Sequence, residues 1–426
     1  MAEQRLVELT IESLGAAGDG VANHQGLRYY IADSLPGDRL RVRVTGKRSD
    51  GFAARTVERL SQGPNRTAPA CRHFNDCGGC AAQHLDDEIY QTWKRQRVIE
   101  ALARRGLDDV TVAALTRTPP GARRRATFHG LRRGHDAVIG FQARASHRIV
   151  DIVECPLLEP ALAALIAPLG EMFAGLLEPN GRAEARVTLT GTGVDLLIAA
   201  PAPPNLDQRQ RLIDFADHHD LPRISWSAKG DDEPELIVLR RAVQVTFGGV
   251  SVDLPPGGFL QPSAVGEAVL AATVTAATSE AGHIADLYAG CGALSFALAG
   301  HARVHAVEGA RAMTTAIERA AARAGLAGRI TCETRDLDRR PLLAKELSRF
   351  DAVVFDPPRA GAKHQAEALA ASRVPLVVAL SCNPASFARD ARILIDGGYA
   401  MAEVQPIDQF LWSAHVELTA VFKRGH

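Results

Sequence analysis

The stretch HIADLYAGCGALSFALA, residues 283–299, decides how the C-terminal half folds. Its apolar start predicts a buried strand, Gly290-Cys291-Gly292 a tight turn, and the run after it a helix. Glycines at such a turn let the backbone approach a bound ligand closely. Taken alone, the turn is shared with dinucleotide sites. The segments that follow narrow the reading. RVHAVEGA (303–310) is a second strand, ending in Glu308, where an acid accepts hydrogen bonds from ribose hydroxyls. RITCETRD (329–336) is a third, ending in Asp336, within reach of an adenine. FDAVVFDPPRAG (350–361) is a fourth, ending in Asp356-Pro357-Pro358-Arg359. Strands and helices alternate from Ile284 onward, the pattern of a doubly wound sheet. Four successive strands, each with a polar residue at its carboxyl end, are far more specific than any one.

A further apolar run, 375–380, reads as a buried strand and stops at Ser381-Cys382-Asn383-Pro384. Asn-Pro is a turn signal. A free Cys is most often a small buried hydrophobe. A thiol at the carboxyl end of a strand, however, lies where open α/β sheets place their chemistry. Cys291 and Cys332 take the plainer reading, as small residues in a loop and a buried strand.

The chain has 426 residues, room for two to four domains. Lys plus Arg and Asp plus Glu both number 49, so any nucleic-acid surface must be a local patch. Residues 1–10 alternate charged and apolar side chains without a signal-peptide core, and no apolar run is long enough to span a bilayer. A cytoplasmic protein with no membrane contact is expected. In that compartment seven cysteines point to metal binding or catalysis before disulfides.

Residues 1–62 read as a small OB-like β-barrel, with short alternating segments at 6–11, 27–31 and 40–45 between Gly-rich turns. IESLGAAGDGVA (11–22) and ADSLPGDRLRVRV (32–44) resemble the TRAM domain of RNA-modifying enzymes. Arg39, Arg41, Arg43, Lys47 and Arg48 put positive charge on or near one strand, suited to RNA or to protecting an edge. In CRHFNDCGGCAAQH (71–84), Cys71, Cys77 and Cys80 are spaced C-x5-C-x2-C, and Cys155 in DIVECP is the candidate fourth ligand. Four thiolates hold either zinc or a 4Fe-4S cubane, and spacing does not separate the two. Residues 86–105 read as a helix with Ile89, Trp93, Ile99 and Ala103 on one face. Arg123-Arg124-Arg125 and Arg132-Arg133, interleaved with Phe128 and Phe141, suit phosphate contact and base stacking. Helices over 159–177 and 206–219, strands over 184–189, 194–199 and 242–247, and a loop over 229–234 complete a central α/β domain.

FLQPS (259–263), DLYAGCG, VE, DPPRAG, SCNP and HVELTAVF (415–422) occur in an order and spacing that closely resemble the RNA uracil-C5 methyltransferase family. The barrel and four-Cys loop resemble its iron-sulfur subgroup of 23S rRNA type. The resemblance implies an α/β fold: a Rossmann-like class I methyltransferase domain (254–426), an N-terminal TRAM barrel (1–62) and a central iron-sulfur domain (63–253). Helix 86–105 is a candidate to pack on the catalytic domain. By that resemblance Gln261, Tyr288, Glu308, Asp336 and Asp356 contact S-adenosylmethionine. Cys382 is the nucleophile, Glu417 the base, and Cys71, Cys77, Cys80 and Cys155 hold a 4Fe-4S cluster. One departure is Ala293, where the family carries Asn or Thr. The implied partner is RNA, rRNA before tRNA, and the implied state a monomer.

The chemistry accounts for these residue types. Carbon 5 of uracil is too weak a nucleophile to take a methyl group directly. A thiolate adding to carbon 6 creates an enolate, and carbon 5 then attacks the sulfonium methyl. A base removes the carbon 5 proton so that the thiol leaves. The plainer alternative for Glu417 is a surface acid on an edge strand, and for Asp356 a helix N-cap. Two other functions fit parts of the chain. An amino-methyltransferase acting on adenine or guanine carries an aromatic residue after D/N-P-P, where Arg359 stands. An RNA-binding factor with an inactive methyltransferase domain has no need of Cys382 and Glu417.

Overall fold

A computed structural model describes residues 6–228 and 233–425. The loop expected over 229–234 therefore falls mostly outside the described residues, as does the first half of the alternating segment 1–10. Among the described residues, no helix is long and apolar enough to cross a membrane.

The first sheet comprises β1 (Leu6–Thr10), β2 (Ser13–Leu14), β3 (Gly20–His24), β4 (Leu27–Ile31), β5 (Arg39–Arg48) and β6 (Gly51–Ser61). Their order is β1-β5-β6-β4-β3-β2. β1 and β2 are pieces of one run of chain, so both edges of the sheet belong to the same segment. Glu12 N–H donates to Val21 O at 2.8 Å, and Ile11 N–H to Asp38 O at 2.9 Å. The sheet thus closes on itself, which removes its free edges. Period-two alternation supplies the core: Leu40 and Val42 of β5 point inward, Arg39, Arg41 and Arg43 outward. Part of the positive charge on this strand is already paired. Arg41 lies between Glu8 (2.7 Å) and Glu58 (2.5 Å), and Arg48 on Asp19 (2.9 Å). Arg39 and Lys47 are exposed.

α1 (Asp87–Ala103) follows, with Asp86 capping it by accepting from Ile89 N–H at 2.8 Å. The short strands β7 (Thr111–Val112) and β8 (Thr116–Arg117) come next. A seven-stranded sheet is then built from β9 (Arg125–Arg133), β10 (Asp136–Gln142), β11 (Ile149–Asp151), β12 (Arg182–Thr190), β13 (Gly193–Ala200), β14 (Arg223–Ala228) and β15 (Glu235–Leu239). Helices α2 (Pro160–Ala163), α3 (Ile166–Leu176) and α4 (Leu206–His218) share one hydrophobic core with it. Ala183, Ala185 and Val187 of β12 enter that core. The alternate residues, Glu184, Arg186 and Thr188, therefore occupy the opposite face.

The hairpin β16 (Gln244–Phe247) and β17 (Val250–Asp253) leads into the last sheet. That part of the chain contains α5 (Ala264–Ala277), β18 (His283–Leu287), α6 (Ala293–Leu298), β19 (Arg303–Glu308), α7 (Arg311–Arg323), β20 (Ile330–Thr334) and α8 (Ala344–Leu347). It continues through β21 (Ala352–Phe355), α9 (Lys363–Ala370), β22 (Leu376–Ser381), α10 (Pro384–Asp396), β23 (Tyr399–Asp408) and β24 (Glu417–Arg424). The order is β20-β19-β18-β21-β22-β24-β23-β7. β18 through β22 run parallel, and β24 inserts antiparallel between β22 and β23. Its apolar strands, β21 (AVVF) for example, are buried from both sides, as a parallel sheet covered by helices requires.

This last unit reaches further back than a boundary at 254. β7 and β8 pair with β23. Val98, Ala101 and Leu102 of α1 join the core of Val377, Val404, Leu418 and Phe422. Val245, Phe247 and Val252 pack against the other side of the sheet. The buried face of α1 also differs from the expected one. Tyr90, Trp93, Lys94, Val98, Ala101 and Leu102 are buried. Apolar periodicity skips Tyr90 and Lys94 because they are polar; partners from β23 make their burial tolerable.

The arginine-rich stretch is corrected too. Arg124 is buried and ion-paired with Glu267 of α5, and its Nε donates to Gln261 O at 3.0 Å. Arg125 donates to Leu260 O at 2.7 Å and lies 4.5 Å from the Phe259 ring centroid. Arg132 donates to Leu177 O at 2.5 Å. Phe128 is fully buried and stacked on Phe141. Arg124 and Phe128 are thus buried in internal contacts and not free for RNA, whereas Arg123 and Arg125 are half-buried and line the cavity described below. Arg124→Ala leaves Glu267 as an uncompensated, largely buried charge. It is expected to cost about 3 kcal/mol in chemical denaturation.

Candidate active site

A cavity of about 830 Å³ lies between the carboxyl ends of the parallel strands and the helix-free face of the central sheet. Gln261, Tyr288, Glu308, Asp336, Asp356, Cys382 and Glu417 all line it. The chain brings together, from a span of 157 positions between 261 and 417, every residue of the expected cofactor and catalytic set.

The glycine turn after β18 shapes one end. Tyr288 takes φ 61°, Gly290 φ 54° and Gly292 φ 88°. A Cβ on Gly292 would meet Ile317 and Phe296 at 3.0 Å, so this turn has no room for a side chain there. Glu308, at the end of β19, accepts from Gly290 N–H at 3.0 Å and from Ala310 N–H at 2.9 Å. Both its oxygens are oriented by backbone and keep lone pairs for a diol. Asp336, two residues beyond β20, accepts from Asp338 N–H (3.1 Å) and Arg339 N–H (3.2 Å). Tyr288 OH donates to Asp338 at 3.2 Å. Ala293 is the first residue of α6, which has no side-chain cap.

Asp356 follows β21 and accepts from Gln261 Nε2 at 2.8 Å, while Gln261 Oε1 accepts from Gln409 at 3.1 Å. Burial pushes Asp356 up to about 6, against the Gln261 bond. It caps no helix, since α9 begins at Lys363. Cys382 stands between β22 and α10, whose cap is Asn383. Burial first, then Glu417 and Asp356, push its thiol up to about 11, and Arg359 pulls the other way. Glu417 opens β24 and is 2% exposed, in a strand flanked on both sides. The surface-edge reading of Glu417 is therefore overturned. Among the described residues its Oε1 has no hydrogen-bond partner. Burial, then Asp356, hold its carboxyl well above the usual 4.5. The last paired residues of β22 and β24 are Ser381 and Leu418; one step further come Cys382 and Glu417.

Several residues in or beside the cavity were not anticipated. Asp286, inside β18, accepts from Ser295 Oγ at 2.5 Å and leaves Oδ1 unpartnered beneath the glycine turn. Burial pushes it up to about 7. An acid within an apolar strand is costly, and that signal was readable. Phe410, Thr127, Arg186 and Asp195 also line the cavity. No sequence signal ties the last three to a site whose expected residues lie between 261 and 417. His415 Nε2 meets Arg359 Nη2 at 3.0 Å.

A second cavity, of about 280 Å³, is lined by Cys71, Cys77, Cys80 and Cys155. Burial raises all four thiols, Cys80 to about 12. Among the described residues, no three His, Cys, Asp or Glu side chains gather around one metal-ion point. Arg123 lies beside Cys155 and Cys80, a positive neighbour for thiolates.

Comparison with known proteins gives this arrangement a context. Residues 240–425 match the family model described as tRNA (Uracil-5-)-methyltransferase. An uncharacterized RNA methyltransferase of Brucella suis is 43% identical over 100% of both chains. A 23S rRNA (uracil(1939)-C(5))-methyltransferase of Chromohalobacter salexigens is 34% identical, over 98% of this chain and 89% of its own length. The solved structure of a Pyrococcus abyssi tRNA (uracil-54, C5)-methyltransferase with S-adenosyl-L-homocysteine shares the fold. Its TM-score is 0.76 over 97% of this chain and 99% of that one, at 22% identity.

The raised carboxyl of Glu417 has a thermodynamic signature. A folded-state value above the unfolded one means that stability is full below about pH 4 and declines as pH rises through the folded value. Glu417→Gln escapes that decline. Thermal unfolding is expected to show the variant more stable than the parent at pH 8, with the gap closing toward pH 4.

Proposed function

The chain belongs to the RNA uracil-C5 methyltransferase family, and from that premise we propose that Cys382 and Glu417 carry the two covalent stages of its reaction. S-adenosylmethionine-dependent methylation of uracil carbon 5 in RNA is the family's activity. When bound, the cofactor supplies a methyl group on a positively charged sulfur. Gln261, Tyr288, Glu308, Asp336 and Asp356 are the residues that would hold it. The fit rests on donor chemistry: a fixed Glu308 carboxylate for a ribose diol, and buried acids for an ammonium group.

Cys382 adds through sulfur to carbon 6 of the uracil, and carbon 5 becomes nucleophilic and takes the methyl group. Glu417 then accepts the carbon 5 proton, the sulfur–carbon 6 bond breaks, and the ring double bond returns. Arg359, the positive neighbour of Cys382, favours its thiolate. The observation that carries this reading is the unpartnered, buried Oε1 of Glu417 beside Cys382. A carboxylate kept out of water without a partner is costly, and is retained where it has a proton to take.

Large-subunit rRNA is the proposed substrate, supported by the 34%-identical 23S rRNA relative and by the combination of closed N-terminal sheet and four cysteines. The closed sheet is read as a TRAM-type barrel that contacts RNA. The four-thiol cavity is proposed to hold a 4Fe-4S cluster. Four cysteines lining one cavity would supply the thiolates that a cluster needs, and the resemblance to the iron-sulfur subgroup is what favours the cluster over zinc. Bound there, the cluster would cross-link residues 71–80 to residue 155; thiolate–enolate chemistry needs no electron transfer from it.

RNA carrying 5-fluorouridine at the target has no proton for Glu417 to take. It should give a slow-migrating protein–RNA band on a denaturing gel, absent in Cys382→Ala; equal bands in both would sink the nucleophile assignment. Mapping of 5-methyluridine in RNA from a deletion strain separates rRNA from tRNA. Anaerobically purified protein should be brown and contain about four iron atoms per chain; zinc without iron would refute the cluster.

A further inference from the structure

We infer that the buried pair Lys94–Asp408, with Tyr90, positions the loop 409–416 and through it Glu417, making these three residues positioning groups for the proton-removal step. The inference rests on the reading of Glu417 as the base. Lys94 on α1 and Asp408 at the end of β23 have side chains fully removed from solvent and 2.9 Å apart. An ammonium has three donors. Here the other two go to Phe410 O, at 3.2 Å, and to His415 O. One nitrogen therefore gathers both ends of a loop that has no regular structure of its own.

Tyr90 adds a second hold. Its hydroxyl donates to Asp408 Oδ2 at 2.5 Å and accepts from Trp412 N–H at 2.8 Å. A third comes from the cysteine loop, where Ala81 and Ala82 N–H groups donate to Trp412 O at 2.7 and 3.1 Å. Thr118 Oγ1 donates to Asp408 O at 2.7 Å. Held on that side, the loop delivers its other contacts to the active-site cavity. Gln409 bonds Gln261, His415 meets Arg359, and Phe410 and Glu417 line the wall.

A buried ion pair is a poor device for stability alone, because apolar residues of similar volume often serve as well or better. It is a good device for geometry, since it fixes three oxygens around one nitrogen. A base must come within about 2.6–3.2 Å of its proton, and displacement by about 1 Å can cost about 100-fold in rate.

The test is the double variant Lys94→Met/Asp408→Asn, which removes both charges together and leaves neither one unpaired. It is expected to fold, and turnover is compared at saturating S-adenosylmethionine because Gln409 of the same loop bonds Gln261. Its turnover on RNA should fall about 10- to 100-fold. The methylated Cys382–RNA adduct should accumulate on ordinary RNA, as in Glu417→Gln, and the two changes combined should lose no more than Glu417→Gln alone. Parental turnover in a folded double variant, or slow turnover without adduct, overturns the inference. Should the double variant not fold, Tyr90→Phe, which deletes one hydroxyl, is measured in its place. A severalfold slowing with adduct supports the inference, and parental kinetics overturns it. Glu417→Gln leaves the loop anchors intact, so absence of adduct in that variant would mean that the assignment of the base has failed instead.

Discussion

Two carboxylates, the half-buried Asp356 and the buried Glu417, face one cavity, and one oxygen of Glu417 has no hydrogen-bond partner among the described residues. Lost hydration makes each a weaker acid than usual, and Asp356 adds repulsion at Glu417. The surrounding fold is what makes the arrangement tolerable. β24 lies between β22 and β23, and Glu417 is held by its pairing with Ile407 and by the Ser381–Leu418 pair one step away. Asp356 is tethered by Gln261, and Gln261 by Gln409. The destabilisation at this point is local and is offset by the apolar core beneath it, where Val377, Ala379, Leu418 and Phe422 are fully or almost fully buried. Strain concentrated where chemistry occurs is a recurrent feature of enzymes.

The cavity has a second wall because the central sheet is covered by helices on one face only. Its other face supplies Thr127, Arg186, Thr188 and Asp195 across from the cofactor strands. Arg124 and Arg125 join the two units at segment 259–267. Arg223 does the same at Leu254 O, 2.9 Å away, while paired with Asp195 at 2.8 Å. Closing a polar site between two walls lowers the local dielectric and strengthens every charge interaction inside it. Inside it, burial, Glu417 and Asp356 push the Cys382 thiol up to about 11, and Arg359 pulls the other way.

Much of the C-terminal sheet was legible because its signals are local. A strand, a glycine turn and a helix occupy seventeen consecutive residues at 283–299, and backbone sterics at Gly292 leave little choice. Acids at strand ends are read in the same way. Other signals misled. The arginines at 123–125 carry the composition of an RNA-binding patch, yet Arg124 is buried against Glu267, 143 positions away. Phe128 has the composition of a stacking platform and is core. A charged or aromatic residue looks the same in sequence whether its partner is a phosphate or another part of the chain.

The sequence by itself determined the order of strands and helices from 283 onward, the acids and the cysteine at their carboxyl ends, and the resemblance to a uracil-C5 methyltransferase. It also determined that three cysteines lie within ten residues of one another, since these are short-range properties of one segment at a time. Only the tertiary structure decided that Glu417 is buried and half-unpartnered, that α1, β7 and β8 belong to the C-terminal sheet, and that Cys155 shares a cavity with Cys71, Cys77 and Cys80. The physical reason is desolvation. Whether a charge is costly, paired or poised depends on what excludes water from it. For Lys94 and Asp408, 314 positions apart, that is settled only when distant segments pack.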